Sequence, residues 1–235
     1  MPTDVIKTIA ATSSPVTPDY STLQAWEDAC PANLVTDDKR WIGECLNQGE
    51  FTSTGIGLNI SGMTVDSTRY VILRCATGAS FKDNANVRTN ALGYNASNGV
   101  AVRKTSGTYG SGFVRAGASY TQIEGLQIRG FSGGGNWVFD AVSGSPSNVL
   151  VSKCILEVGD IRIGTATLRN VACVGAAVRY PNSAGGAVHG CTIVGVTTGL
   201  VTSGYTNGSV NNTAVLNVTN FCTDGTKLTG DYNAT

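Results

Sequence analysis

With 235 residues, 41% of them hydrophobic, the chain can bury a sizeable core as one domain or two small ones. Sixteen Lys and Arg balance sixteen Asp and Glu, and a net charge of zero leaves none of the electrostatic footprint of a nucleic-acid binder. Thirty glycines and only 14% charged residues, with much Ser, Thr, Asn and Val, describe short strands joined by turns rather than a helical protein, and no apolar run is long enough to span a bilayer.

Residues 1–19 read as a Thr-, Ser- and Pro-bearing arm with a short strand at Val5–Ile9. Met1 to Lys7 lacks the basic start and apolar stretch of a secretion signal, so the expectation is a chain that stays in the compartment that made it. Ser21-Thr22-Leu23-Gln24 has capping-box spacing, with Ser21 expected at the N-cap. Leu23, Trp26, Ala29 and Cys30 fall on one helical face before Pro31 ends the helix, with Glu27 and Asp28 toward solvent. One short amphipathic helix over 21–30 in a β chain suits the cover that an open stack of strands needs at its end. A partner-binding helix is the alternative.

From Trp41 to about residue 119 strands are expected at 41–46, 68–75, 99–103 and 112–115, in vague register. Then a pattern repeats: Ile123-x-x-Leu126-x-Ile128-x-Gly130, Val151-x-x-Cys154-x-Leu156, Leu168-x-x-Val171-x-Cys173-x-Gly175, Val188-x-x-Cys191-x-Ile193-x-Gly195 and Val210-x-x-Thr213-x-Val215-x-Asn217. Starts at 123, 151, 168, 188 and 210 are 17 to 28 residues apart, the range of stacked repeats. Apolar positions three and five after the first fit an extended segment with a kink, and no 3.6-period stretch separates the units. A parallel β-solenoid follows, with residues 20–235 as one domain whose regular coils span about 120–221, sealed or frayed by the turn-rich end from Asp224.

Of the seven cysteines, Cys154, Cys173 and Cys191 read as buried free thiols. Cys154 and Cys191 share a repeat position two units apart, roughly 9.6 Å at ~4.8 Å per coil, too far for a bridge; Cys173 lies in another column. Cys30 and Cys45, flanking a Pro-containing loop, could pair only under oxidising conditions. There is no Cys-x-x-Cys, so neither a metal nor any other cofactor is expected.

The outward columns of the repeat are Gln127, Ile155, Ala172, Thr192 and Ala214; Arg129, Glu157, Val174, Val194 and Leu216; and Glu124, Ser152, Arg169, His189 and Asn211. In these columns no carboxylate meets a second one across adjacent coils, so no catalytic residue is assigned. Ala172, Val174, Val194, Ala214 and Leu216 form an outward apolar strip, the candidate oligomer interface, with a folded-over loop as the alternative. His189 has no nucleophile placed by motif. Asp160 and Arg162 with Glu157 make the densest charged patch, the first place to seek a lyase-like site, although a solvated ion pair explains it too. Gly133-Gly134-Gly135 lacks the Lys-Ser/Thr of a phosphate loop.

The segment Asp19-Tyr20-Ser21-Thr22-Leu23-Gln24-Ala25-Trp26-Glu27-Asp28-Ala29, then Trp41-Ile42-Gly43-Glu44-Cys45 and the coils above, resembles the right-handed parallel β-helix, pectate-lyase-like proteins of tailed bacteriophages and environmental bacteria. The likeness runs from Tyr20 to the C-terminus and implies an all-β fold, a right-handed parallel β-helix (solenoid) with a short N-terminal capping α-helix. The short chain without an export signal favours the phage side. It implies a non-enzymatic virion structural protein, a capsid decoration or fibre-like appendage made in the host cytoplasm. Expected partners are two further copies in a homotrimer, other virion proteins such as the major capsid protein, and host glycans, with neither nucleic acid nor membrane. The alternatives are a polysaccharide lyase or hydrolase on the same scaffold, or a glycan-binding module stacking sugars on Trp41, Trp137, Tyr109 and Tyr120.

Overall fold

The computed structural model describes residues 1–84, 93–106, 112–131, 137–142, 145–181, 185–203, 208–216, 219–223, 228–229 and 232–234. Its strands stack, all in parallel, into three sheets that wrap one core, which is the right-handed parallel β-helix expected. The first sheet has nine strands: Thr3–Ile9, Lys39–Cys45, Val71–Cys75, Gln122–Glu124, Leu150–Ser152, Thr167–Arg169, Ala187–His189, Gly208–Asn211 and Leu228–Thr229. The second has eight: Phe51–Ser53, Ala101–Lys104, Gln127–Arg129, Ile155–Glu157, Ala172–Val174, Thr192–Val194, Thr213–Leu216 and Tyr232–Ala234. Seven form the third: Leu58–Ile60, Gly112–Ala116, Trp137–Asp140, Asp160–Arg162, Val178–Pro181, Thr198–Ser203 and Asn220–Cys222.

The repeat produces this stack by simple geometry. Its first apolar residue lies in the first sheet, and its third in the second. Val151, Leu168, Val188 and Val210 are register partners in one inward row, each fully buried. The row continues backward through Ile123 and Leu73 to Gly43. The residue two after the first apolar position turns the corner in a left-handed conformation, at Gly125, Lys153, Asn170, Gly190 and Asn212. Gly and Asn tolerate that conformation best. Leu126, Cys154, Val171 and Cys191 then stack at the corner, their carbonyls accepting from Ile155, Ala172, Thr192 and Ala214 N–H of the next coil. Cys154 and Cys191 are thus two coils apart, with Val171 between them and Cys173 in a separate inward row, as the spacing implied. Cys30 and Cys45 are both free thiols.

Where the first coil would carry strands of the second and third sheets, the chain runs instead through two helices. Helix α1 spans Leu23–Asp28 and α2 spans Leu34–Asp37. The residues expected as an arm supply the first strand, Thr3–Ile9, paired along its length with Lys39–Cys45.

Helix α1 covers the end of the prism in two ways. Trp26 is fully buried over Gly43, where an added Cβ would lie 2.6 Å from the indole. In addition, Gln24 Oε1 accepts from Asn59 N–H at 2.8 Å and Glu27 Oε1 from Ser61 N–H at 2.9 Å, which satisfies the open edge of the third sheet. An unpaired edge invites another chain, and these side chains close it.

Glu27 is therefore 8% exposed rather than solvent-facing. Burial outweighs its hydrogen bonds and pushes its carboxyl above the ordinary range. The N-cap is Thr22, whose hydroxyl accepts from Ala25 N–H, and not Ser21; Gln24 is engaged elsewhere, so the expected capping box does not form. Of the expected apolar face, Leu23 and Trp26 are buried and Cys30 half-buried, whereas Ala29 is the exposed C-cap. A third short helix, α3, spans Phe81–Asn84.

Candidate functional site

Chemistry on such a prism must sit on its outward rows. On the first sheet one outward row runs Thr8, Glu44, Arg74, Glu124, Ser152, Arg169, His189, Asn211. Its last five members match the column expected from the repeat. Glu44 and Arg74 extend it into the early coils, where the spacing of 30 and 50 residues (44 to 74, 74 to 124) hides the repeat. The available signal was the pair Glu44-Cys45 and Arg74-Cys75, a charged residue before a cysteine in two apolar runs.

Over this stretch lies a cleft of about 430 Å³, lined by Glu44, Arg74, Glu124 and Lys153 on the sheet side and by Thr77, Ser80, Lys82 and Asp83 opposite. Arg74 donates to Glu44 Oε1 through Nη2 at 2.6 Å and through Nε at 3.1 Å, leaving the second carboxylate oxygen to the cleft. Lys153 Nζ is 2.5 Å from Glu124 Oε1. The opposite wall is held by Asp83, which accepts from Ser80 N–H at 3.2 Å, and by the Ser80 hydroxyl, which accepts from Lys82 N–H. Cys75 also lines the cleft but is no nucleophile: burial raises its thiol far above the ordinary value, and its Sγ donates to Gly125 O at 3.1 Å.

Further along the row, His189 Nε2 lies 3.3 Å from Ser209 Oγ, a contact that no sequence motif announced.

The second sheet carries both other expected columns in register. Ala172, Thr192 and Ala214 form one row; Glu157, Val174, Val194 and Leu216 form the next. Val174, Val194, Ala214 and Leu216 are half-buried and Ala172 is 9% exposed. The early part of this face is covered by a loop: Tyr94 N–H donates to Glu157 and Asn95 N–H to Gln127. These bonds reach Glu157 and Gln127 and none of the strip residues Ala172, Val174, Val194, Ala214 and Leu216.

Glu157 pairs with Arg129 on this face, which separates it from Asp160 and Arg162 on the third sheet. The expected charged patch is therefore split. Asp160 instead holds Arg179 at 2.6 Å, and Arg162 lies 3.9 Å above the Trp137 ring while approaching Asp140 at 3.8 Å. Of the expected sugar-stacking aromatics, Trp137 is half-buried beneath Arg162 and Tyr120 half-buried. Trp41 lies buried in a strand with Nε1 donating to Trp26 O at 3.2 Å, so it is no loop platform. Tyr109 and the triple glycine at 133–135 lie outside the described residues.

Among the described residues no group of three or more His, Cys, Asp or Glu could hold a metal ion, and no helix is long and apolar enough to cross a membrane.

No protein-family model matches the chain, and no curated protein matches it. Among solved structures, deglycosylated pectin methylesterase from Aspergillus niger matches over 100% of this chain and 87% of its own, at 15% identity and TM-score 0.50. The same enzyme with an N-acetylglucosamine stub at Asn84 matches at 14% identity and TM-score 0.48, over 98% of this chain and 85% of that one. The neighbour is an enzyme, which overturns the expectation of a non-enzymatic protein drawn from the outward rows of the later coils. What the two chains share at this identity is the right-handed parallel β-helix, not a bacteriophage setting.

Proposed function

We propose that the protein is a carbohydrate-active hydrolase that holds a polysaccharide in the cleft on the outer face of the first sheet. The observation that carries this reading is the placement of Glu44 and Glu124 in one outward row with Arg74 between them. Two rungs separate their backbones by ~9.6 Å, a spacing that leaves room for a water between two carboxyl groups working as acid and base.

In this reading Glu44, held by Arg74 through Oε1, takes the proton of an attacking water through its second oxygen. The hydroxyl adds to the anomeric carbon, the glycosidic C–O bond breaks, and the Glu124–Lys153 pair returns a proton to the leaving oxygen. Lys82 and Asp83 on the opposite wall hydrogen-bond the sugar hydroxyls. The fold shared with pectin methylesterase supports the choice of a polysaccharide over other substrates.

The test is incubation with methyl-esterified pectin, polygalacturonate and a neutral glucan, following reducing ends. Release of reducing ends is expected, lowered ~10²–10⁴-fold by Glu44→Gln or Glu124→Gln. Unsaturated products, methanol without chain cleavage, or full activity in both variants would each overturn it.

A further inference from the structure

At the corner between the second and third sheets, a buried lysine and a half-buried arginine have no ion-pair partner among the described residues. Lys104 ends the strand Ala101–Lys104; it is 2% exposed, and its Nζ has no hydrogen-bond partner among the described residues. Arg115, in the strand Gly112–Ala116, has a buried Nε that is likewise unpaired. Burial and the like charge of Arg115 both act on Lys104 and push its ammonium below the ordinary value. A buried ammonium with an idle Nζ, beside a half-buried guanidinium of the same sign with an idle Nε, is costly unless something negative sits between them.

The carboxylate beside Arg115 in the sheet has other contacts. Asp140, register partner of Arg115 and fully buried, accepts from Val142 N–H at 3.0 Å and stands 3.8 Å from Arg162. Arg162 in turn lies on the Trp137 ring. Lys104, Arg115, Asp140 and Arg162 therefore leave an excess of two positive charges. Asp140 and the Arg115 stem pack closely on Gly112, where an added Cβ would meet Asp140 Cβ at 2.5 Å and Arg115 Cγ at 3.2 Å. A guanidinium with its Nε edge open offers two parallel N–H donors to a carboxylate or sulfate, and an ammonium adds a point charge.

We propose that Lys104 and Arg115 form a binding site for an oxyanion group, supplied either by a free inorganic anion or by the carboxylate or sulfate of an acidic sugar. The site lies on a different face from the Glu44–Glu124 cleft and stands independently of the activity proposed there.

Thermal unfolding of the full chain at constant ionic strength tests it, with sodium sulfate, galacturonate, galactose and chloride as probes. A saturable rise in Tm with sulfate is expected, absent with galactose and chloride. A matching rise with galacturonate identifies an acidic sugar as the source, and sulfate alone identifies a free anion. In Lys104→Met the apparent affinity should fall about tenfold or more. Because that variant removes a buried charge and need not fold as well, crystals of the unaltered protein soaked in selenate give the second measurement, with anomalous density expected between Lys104 Nζ and Arg115 Nε. Equal responses to sulfate and chloride, an unchanged affinity in Lys104→Met, or no density at that corner would overturn the proposal.

Discussion

Truncating Trp26 to Ala tests the account of how the prism is closed. The indole is fully buried and packs on Gly43, the first position of the inward row after the opening strand. A buried Trp removes ~150–250 Å² from water, and at ~25 cal/mol per Å² its loss amounts to ~4–6 kcal/mol, in line with the ~3–5 kcal/mol typical of large aromatic truncations. For a chain of this length ~1 kcal/mol moves Tm by ~2–4 °C, so a fall of ~6–20 °C is expected in calorimetry. Trp26 Nε1 has no hydrogen-bond partner among the described residues, so none of this loss comes from a hydrogen bond. Trp26→Phe keeps most of the apolar area and removes the unpaired buried donor, and should stay within ~1 kcal/mol of the parent. Because a solenoid couples mainly neighbouring coils, amide exchange in Trp26→Ala should accelerate in residues 39–45 and 58–60 before 167–174. A loss below ~1 kcal/mol, or uniform acceleration along the prism, would refute the capping argument.

Glu27 carries a pH signature. Its carboxyl is raised by burial, so the folded state favours the protonated form: its contribution is present below the ordinary value of 4.5 and is lost as pH rises through the raised value. Glu27→Gln should therefore stabilise the protein at neutral pH, the gain shrinking to nothing below about pH 4.5, as read from Tm across a pH series. Inward and outward rows should differ sharply in denaturant melts: Leu168→Ala is expected to cost ~2–5 kcal/mol, and Val174→Ala, half-exposed on the second sheet, under ~1 kcal/mol. Comparable losses at both positions would contradict the register. The thiols of Cys30 and Cys154, each pushed up to about 12, and of Cys191, to about 11, should stay unreactive to Ellman's reagent at pH 8 until the chain unfolds. Rapid labelling of any of the three in the native protein would count against their burial.

The later coils were legible because their physics is local. A left-handed corner residue between apolar positions fixes where each side chain points, and regular spacing from Val151 to Val210 lets the eye stack them. The same column reading placed His189, Arg169 and Glu124 in one outward row. Glu44 and Arg74 belong to that row too, but the excursions between them hide its continuity, and only the paired strands reveal it. The cleft went unseen for this reason.

The amino-acid order alone determined a parallel prism, its inward rows and the two-coil separation of Cys154 from Cys191, since each follows from alternation along a strand and a recurring apolar pattern. Tertiary structure decided what depends on partners distant in the chain. It drew Glu27 against the Ser61 amide across 34 residues, split Glu157 from Asp160 onto different faces although three positions separate them, and buried Lys104 beside Arg115. Burial and pairing of charge are set by what folds over a position, and a corner of the chain decides the face on which a carboxylate stands.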